Sequence, residues 1–410
     1  MLTKRTLGSI GALACGLALA GCGGGGSSTA GSATTTAVVA TPTVTTPTPT
    51  PTITTPASVT AVLNVDFNAV PNYSAPTLPA YYDATVTALD NTPASNAASD
   101  KIALLGRVLF NDRKLSINEA ISCASCHQQA LGFDDDERFS TGFAGGAFTA
   151  AHAMRLLNVR YYRPGSMFWN KRAASLEAQA SQPIINPVEM GWDTAAGGIT
   201  ALVARLQATS YYPDLFTFAF GSSTITETRI QQALAQFQRA MISSNSRWDT
   251  AYAQVFSATA PGRALNVTLP GFTDQENRGR QLFMTGVNAG GAGCSACHVP
   301  PTFALAANSD SNGLDAGETV IFKSPSLKSV GQSRFFMHDG RFATLDQVVE
   351  HYNSGVQAGP ALDNRLRGPG GAPQRLNLSA ADKAALVAFM QTLTDPQIAA
   401  DARFTDPFKR

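Results

Sequence analysis

Six cysteines punctuate the 410-residue chain, and four of them form two copies of one pattern, Cys123-Ala-Ser-Cys126-His127 and Cys294-Ser-Ala-Cys297-His298. Two thiols one helical turn apart can add to the two vinyl groups of a single porphyrin. The adjoining histidine can then offer a ring nitrogen to the iron. The pattern reads as c-type haem attachment, here twice. Zinc would need its two half-sites close together in the fold, whereas these lie 171 residues apart and each ends in its own histidine. A thiol–disulfide redox motif calls for a βαβ setting that the flanking sequence lacks. A disulfide framework belongs to much smaller domains. Two covalently bound haem c groups are therefore expected, with His127 and His298 as proximal iron ligands.

The remaining two cysteines sit at the start of the chain. Lys4 and Arg5 precede a short uncharged apolar stretch, Leu7 to Ala20, which has the shape of a secretory signal and is too short to span a bilayer. It ends in Leu19-Ala20-Gly21-Cys22, which resembles the bacterial lipoprotein signal. The alternative is ordinary cleavage nearby. Residues 1–22 are expected to be the signal peptide, with Cys22 lipidated. Gly23 rather than an acidic residue follows, which favours an outer-membrane anchor facing the periplasm. From Gly23 to about Pro56 the chain is Gly, Ser, Thr, Ala and Pro with a few Val and Ile and no charge. Such a composition cannot bury enough apolar surface to order itself. A disordered tether is expected over 23–75.

The remainder is long enough for two domains, an N-terminal haem domain over 76–257 and a C-terminal one over 258–410. Charged residues make up 14% of the chain, below the usual ~25%, and the net charge is +1. That balance gives no sign of a nucleic-acid partner. No further apolar run is long enough to cross a membrane, so contact with one is expected through the lipid anchor only.

The haem motifs need a frame, and the spacing of apolar residues makes it mainly α. Asp100 to Phe110 predicts a helix ahead of the first motif. Ile225 to Ile242 places Ile230, Leu234, Phe237 and Met241 on one face. Thr273-Asp-Gln-Glu276 has the form of a capping box ahead of Leu282 and Phe283, just before the second motif. Thr344 can cap a helix whose inner stripe is Leu345, Val348, Val349 and Tyr352. A last helix runs from about Ser379 to Leu393. The Pro- and Gly-rich stretch Ala258 to Gly271 reads as the connection between domains.

Around these motifs the chain resembles the di-haem cytochrome c peroxidase and MauG superfamily, from Leu105-Gly-Arg-Val-Leu-Phe110 to Leu393. Two segments carry most of the likeness. The first is Phe168-Trp169-Asn-Lys-Arg172-Ala-Ala-Ser-Leu176-Glu177-Ala-Gln179, continuing through Pro183 to Pro187-Val-Glu189-Met190-Gly191. The second is Met337-His338-Asp339-Gly340-Arg341-Phe342-Ala-Thr344-Leu345, continuing to His351-Tyr352. The resemblance implies two cytochrome c-like domains, with a peroxidatic haem at His127 and an electron-receiving haem at His298. It puts Gln179, Pro183 and Glu189 over the distal face of the first haem. There a carboxylate can move a proton between the two oxygens of hydrogen peroxide, Gln179 can orient the peroxide, and Pro183 keeps the pocket shaped and dry. Without the resemblance Glu189 would be a surface or ion-paired carboxylate, the usual fate of Glu. Trp169 resembles the family's tryptophan between the haems, or is simply a core residue, or both. His338 belongs to a loop near the second haem and is not read as an iron ligand.

The departures are informative. Peroxidases of the family have methionine where this chain has Tyr352, and MauG-like members have tyrosine. Tyr352 is thus a candidate axial oxygen ligand of the second haem, with His351 and Met337 as alternatives. A phenolate favours ferric and higher states, whereas a thioether raises the potential. Where the peroxidases place a capping histidine over the first haem, residue 143 is Phe. His152 aligns with a ligand of the family's interdomain calcium, but Ser333 and Phe335 stand at the other calcium positions, which counts against calcium and leaves His152 as a structural histidine.

Three functions follow. One is a periplasmic peroxidase reducing hydrogen peroxide to water, fed through the C-terminal haem by a small donor such as a cytochrome c or a cupredoxin. Another is MauG-like, peroxide-dependent oxidation of a partner protein's side chain, with Trp169 carrying charge. The third is a non-catalytic di-haem electron carrier, against which Gln179 and Glu189 speak.

Overall fold

The computed structural model describes residues 53–305 and 307–410. The signal peptide, Cys22 and the tether up to residue 52 lie outside them. The described residues are mainly helical, joined by long loops, with isolated bridges in place of a sheet. None of their helices is long and apolar enough to cross a membrane.

Six helices frame the sites: α1 (Asp100–Asn111), α2 (Leu176–Ala180), α3 (Glu227–Arg239), α4 (Asp274–Met284), α5 (Leu345–Glu350) and α6 (Ala380–Gln391). Each starts at a Ser or Thr whose side chain takes a free backbone N–H of the first turn: Ser99, Ser175, Thr226, Thr273, Thr344 and Ser379. Thr273 with Glu276 closes the expected capping box, and Thr344 does the same with Gln347. All five predicted helices are present, with the expected ends met to within three residues.

The frame is built twice. α1 packs on α3 and α4 on α6, and a glycine sits at each crossing. A β-carbon on Gly106 would lie 2.0 Å from the Ala233 carbonyl oxygen, and one on Gly279 1.8 Å from that of Ala385. Only hydrogen fits at either place. Around the first pair Leu105, Val108, Leu109, Ile230, Leu234 and Phe237 form one core, and around the second Leu282, Phe283, Phe303, Leu386, Phe389 and Leu393 form another. The loops repeat as well. A left-handed residue opens a single 3₁₀ turn at Asn158 and again at Ser329. The bridge Met167–Ala173 returns as Phe336–Phe342.

Each core also takes chain from beyond its own half. Tyr81, Trp248 and Tyr252 pack into the second, while Ile398 and Phe404 pack into the first. This corrects one expectation. The tether does not extend to residue 75, because Val59, Leu63, Phe67 and Tyr73 are buried in the first core. Their partner is the chain's far end: Leu63 bridges to Phe408, and the Tyr73 hydroxyl donates to the Arg403 carbonyl at 2.8 Å. Local composition could not reveal it.

Candidate active site

Cys123 and Cys126 occupy one helical turn, Cys123–Cys126, opened by reciprocal bonds between Ser122 and Ser125. All four motif cysteines are free thiols and partly buried. Burial pushes Cys123 and Cys294 up to about 12, so they are neutral at ordinary pH. His127 follows at the end of the turn, its Nδ1 3.3 Å from the Phe133 carbonyl oxygen. His298 Nδ1 lies 3.0 Å from the Pro325 carbonyl oxygen. A carbonyl only accepts, so each Nδ1 carries the proton and each Nε2 keeps its lone pair. Burial lowers both imidazoles, His298 to about 4, which keeps them neutral. A neutral ring oriented through Nδ1, beside two thiols, is the donor set that haem iron and two thioether bonds require.

The repeated frame aligns what lies opposite. The same offset of 169 residues separates Met167 from Phe336, Ala173 from Phe342, and the cap Ser175 from the cap Thr344. It carries Pro183 onto Tyr352. Where the second site presents a phenol, the first presents a ring with no donor atom. Beyond Pro183, Glu189 is partly buried, and its carboxylate accepts from the Asn186 amide at 3.0 Å. Burial raises its pKa, with Arg172 pulling partly the other way. Its charge is felt at both Cys123 and Cys126. Gln179 lies one turn before Pro183 and is partly buried.

At the second motif a cavity of about 750 Å³ is lined by Cys294, Cys297, His298, Trp169, Met337 and Tyr352 among others. Its volume lies in the range of cofactor pockets. Tyr352 stands on a π-helical turn, His351–Gly355, that continues α5. Such turns re-aim a side chain and recur at functional sites. Burial raises its phenol. His351 does not line the cavity, and its Nε2 is held 3.2 Å from the Asn312 carbonyl oxygen. Met337 lines the cavity with its sulfur taken by the Asn312 amide at 3.3 Å.

The two halves meet in a reciprocal clasp. His152 N–H donates to the His338 carbonyl at 2.9 Å, and Lys323 N–H to the Trp169 carbonyl at 2.7 Å. Trp169 and His338 are again 169 residues apart, and His152 and Lys323 are 171 apart, like the motifs. The Trp169 indole donates to the His152 carbonyl at 2.7 Å. Trp169 lies where both halves touch it.

Residues 100–255 match the family described as di-haem cytochrome c peroxidase. The methylamine utilization protein MauG of Methylorubrum extorquens is 32% identical over 321 residues, which cover 73% of this chain and 80% of the relative. The chain belongs to the di-haem cytochrome c peroxidase and MauG family. Cytochrome c551 peroxidase of Nitrosomonas europaea is 30% identical over 271 residues, covering 61% of this chain and 72% of that one. The crystal structure of a MauG-like protein associated with microbial copper homeostasis superposes with a TM-score of 0.62 at 30% identity, covering 82% of this chain and 98% of the other. The family is one of oxidoreductases that carry two c-type haems, and its fold of two cytochrome c-like units is the duplicated frame described above.

Two departures from the family pattern now have a physical form. Phe143 donates its N–H to the Glu189 carbonyl at 3.0 Å, and its ring lies where a β-carbon of Gly191 would be, 2.6 Å from the nearest ring atom. It packs against the Glu189 segment and has no atom to offer iron. The calcium positions do not fit calcium, which takes six to eight oxygens. The groups gathered there are the His152 imidazole, the Phe335 ring 6.1 Å away, and the Ser333 hydroxyl. Ser333 is bonded to Asp134, which is already paired with His152 at 3.2 Å and Arg155 at 2.7 Å. Sequence reasoning missed Asp134, Arg155, Asn312 and Lys323. The signal for their places was the internal repeat, visible as Arg172-Ala-Ala-Ser-Leu176-Glu177 against Arg341-Phe-Ala-Thr344-Leu345-Asp346.

Proposed function

We propose that this chain is an exported, lipid-anchored periplasmic peroxidase that reduces hydrogen peroxide to water, with electrons from a small redox protein entering through the C-terminal haem. The observation that supports the reading is the difference at equivalent positions of the repeat, Pro183 in the first half and, lining the second motif's cavity, Tyr352 in the second. Cys123, Cys126 and His127 would hold one haem, and Cys294, Cys297 and His298 the other, where the Tyr352 phenol would be a further ligand. Haem held by the first motif would supply the redox chemistry by which peroxide is reduced. The chain's own residues handle the rest. Pro183 and Phe143 leave the distal face of the first site without a competing ligand. Gln179 orients the incoming peroxide. Glu189 accepts a proton from one peroxide oxygen and delivers it to the other, which leaves as water. Two protons from solvent and two electrons from the donor complete the balance, one peroxide giving two waters. Trp169, gripped by both halves, is the path for charge between them.

Tyr352 specifically favours a second reading, MauG-like oxidation of a partner protein's side chain, because an anionic oxygen ligand stabilises oxidising states rather than electron delivery. One experiment separates the readings. The ferric protein, made in a host that assembles cytochromes and weighed to confirm two haems, receives one equivalent of peroxide and then reduced cytochrome c. Fast turnover of the donor supports the peroxidase. A long-lived spectral change with slow donor oxidation supports the MauG-like reading. No response to peroxide would leave only an electron carrier.

A further inference from the structure

Arg172 follows shortly after Trp169 in the chain and is exposed. Its guanidinium stacks on the Phe168 ring, 3.4 Å from the ring centre. Its polar partners among the described residues are neutral: Nε donates to the Gln182 side-chain oxygen and Nη1 to that of Asn170, each at 3.2 Å. The repeat sets this arginine apart. Its counterpart in the second half is Arg341, which is paired with Asp339 at 2.7 Å and with Asp315 at 2.9 Å. Where the second half carries Asp339, the first carries Asn170. One arginine is neutralised in place, and the other is left without an anion.

The partner Gln182 leads to Glu189. It opens a single helical turn, Gln182–Ile185, whose far end is tied to that glutamate. Met190 N–H donates to the Pro183 carbonyl at 3.3 Å. The Asn186 side chain donates to the Glu189 carboxylate at 3.0 Å and accepts from the Glu189 N–H at 3.2 Å. Arg172 and Glu189 are thus bonded to opposite ends of one short turn, and each feels the charge of the other. The remaining titratable groups that feel Glu189 nearby are the Cys123 and Cys126 thiols, which burial pushes up to about 12 and keeps neutral.

We propose that Arg172 is a positioning residue for the first site: stacked on Phe168 and bonded to Gln182, it brings a cation that no carboxylate cancels to the turn that holds Glu189, and so stabilises the Glu189 carboxylate as the base that receives the peroxide proton. The inference rests on the reading of Glu189 as the proton carrier. It gives the repeated arginine a different duty in each half, an ion-paired brace at Arg341 and an electrostatic influence on the chemistry at Arg172.

The test uses the haem-loaded protein and its Arg172→Gln, Arg172→Met and Arg172→Lys variants, each weighed to confirm two haems. Two quantities are followed across pH: the rate of reaction with peroxide, and the infrared band of the protonated Glu189 carboxyl, isolated by difference against Glu189→Gln. Without the cation the charged carboxylate is less favoured. In both neutral variants the rise of the rate and the loss of the band should therefore move together to higher pH, and on the acid side of the rise the rate should fall roughly three- to tenfold. Arg172→Lys keeps the charge and should stay near wild type, and added salt should narrow the gap between wild type and the neutral variants. A rise and a band that stay in place in the Gln and Met variants overturn the proposal. So does a Lys variant displaced as far as they are, since packing rather than charge would then be responsible. A rise with pH that survives in Glu189→Gln would instead strike at the reading of Glu189 as the proton carrier.

Discussion

The proposed division of labour rests on a few side chains, so the sharpest tests are single substitutions. Glu189→Gln keeps the shape and the bond to Asn186 but cannot take a proton. Reaction with peroxide should slow by roughly 10²- to 10⁴-fold, with both haems retained. Stopped-flow kinetics that match wild type would remove Glu189 from the chemistry. Because burial raises the Glu189 pKa, its base form appears only above the ordinary carboxylate range. The rate should therefore climb with pH through that raised value, and the climb should vanish in the Gln variant. Tyr352→Met replaces a hard oxygen donor by a thioether and should raise the second haem's potential, read by redox titration. A potential that does not move would mean that Tyr352 does not touch that iron. His127 and His298 could be read from spacing alone, because covalent attachment dictates their neighbours. Lys323 and Asp134 could not, since their meaning lies in partners supplied by distant chain.

Among the elements, the helices were the legible part. α1, α3, α4 and α6 combine a Ser or Thr cap with apolar residues at helical spacing, and both signals are local. The crossings are less visible in sequence but decisive for packing. Gly279→Ala would drive a methyl group into the Ala385 carbonyl and the Phe389 β-carbon. Overpacking of this kind costs about 1–3 kcal/mol or more, measurable as a lower denaturant midpoint at unchanged slope. An unchanged midpoint would show that the α4–α6 pair can slide apart freely. The duplication hid for a simple reason: the loops between motif and distal segment differ by two residues, so the offset slips from 171 to 169. With that slip, an ungapped alignment anchored on the two motifs sets Pro183 opposite Ser354 instead of Tyr352. The segment 53–75 was misjudged because its apolar residues are sparse and their cover is the chain's last dozen residues.

At the scale of the whole molecule, a buried ion pair of the first half, Asp134 with His152, stands at the clasp and holds Ser333 of the second. Burial pulls the His152 pKa down, but the bond to Asp134 and its charge outweigh this, and the net shift is upward. Burial pushes Asp134 up, yet Arg155 and His152 hold it below the ordinary carboxylate value. A raised histidine stabilises fully below its unfolded value of about 6.5 and loses that contribution as pH rises through the folded value. The lowered aspartate loses its own only in acid. The thermal midpoint should therefore sag on the alkaline side of neutrality, and Asp134→Asn should remove the sag while lowering stability throughout. A flat profile in the parent protein would show that His152 stays neutral in the fold.

The reciprocal clasp has a consequence for how such a protein can be assembled. His152, Arg155 and Trp169 of the first half line the cavity of the second motif. A fragment holding only the second motif would thus be missing a piece of its own enclosure, and the clasp ties the first half's fold to that wall. Insertion of the two cofactors should then be mutually reinforcing. Partially loaded chains should be rare at equilibrium and easily digested, and the molecule should behave as one unit that is either complete or not.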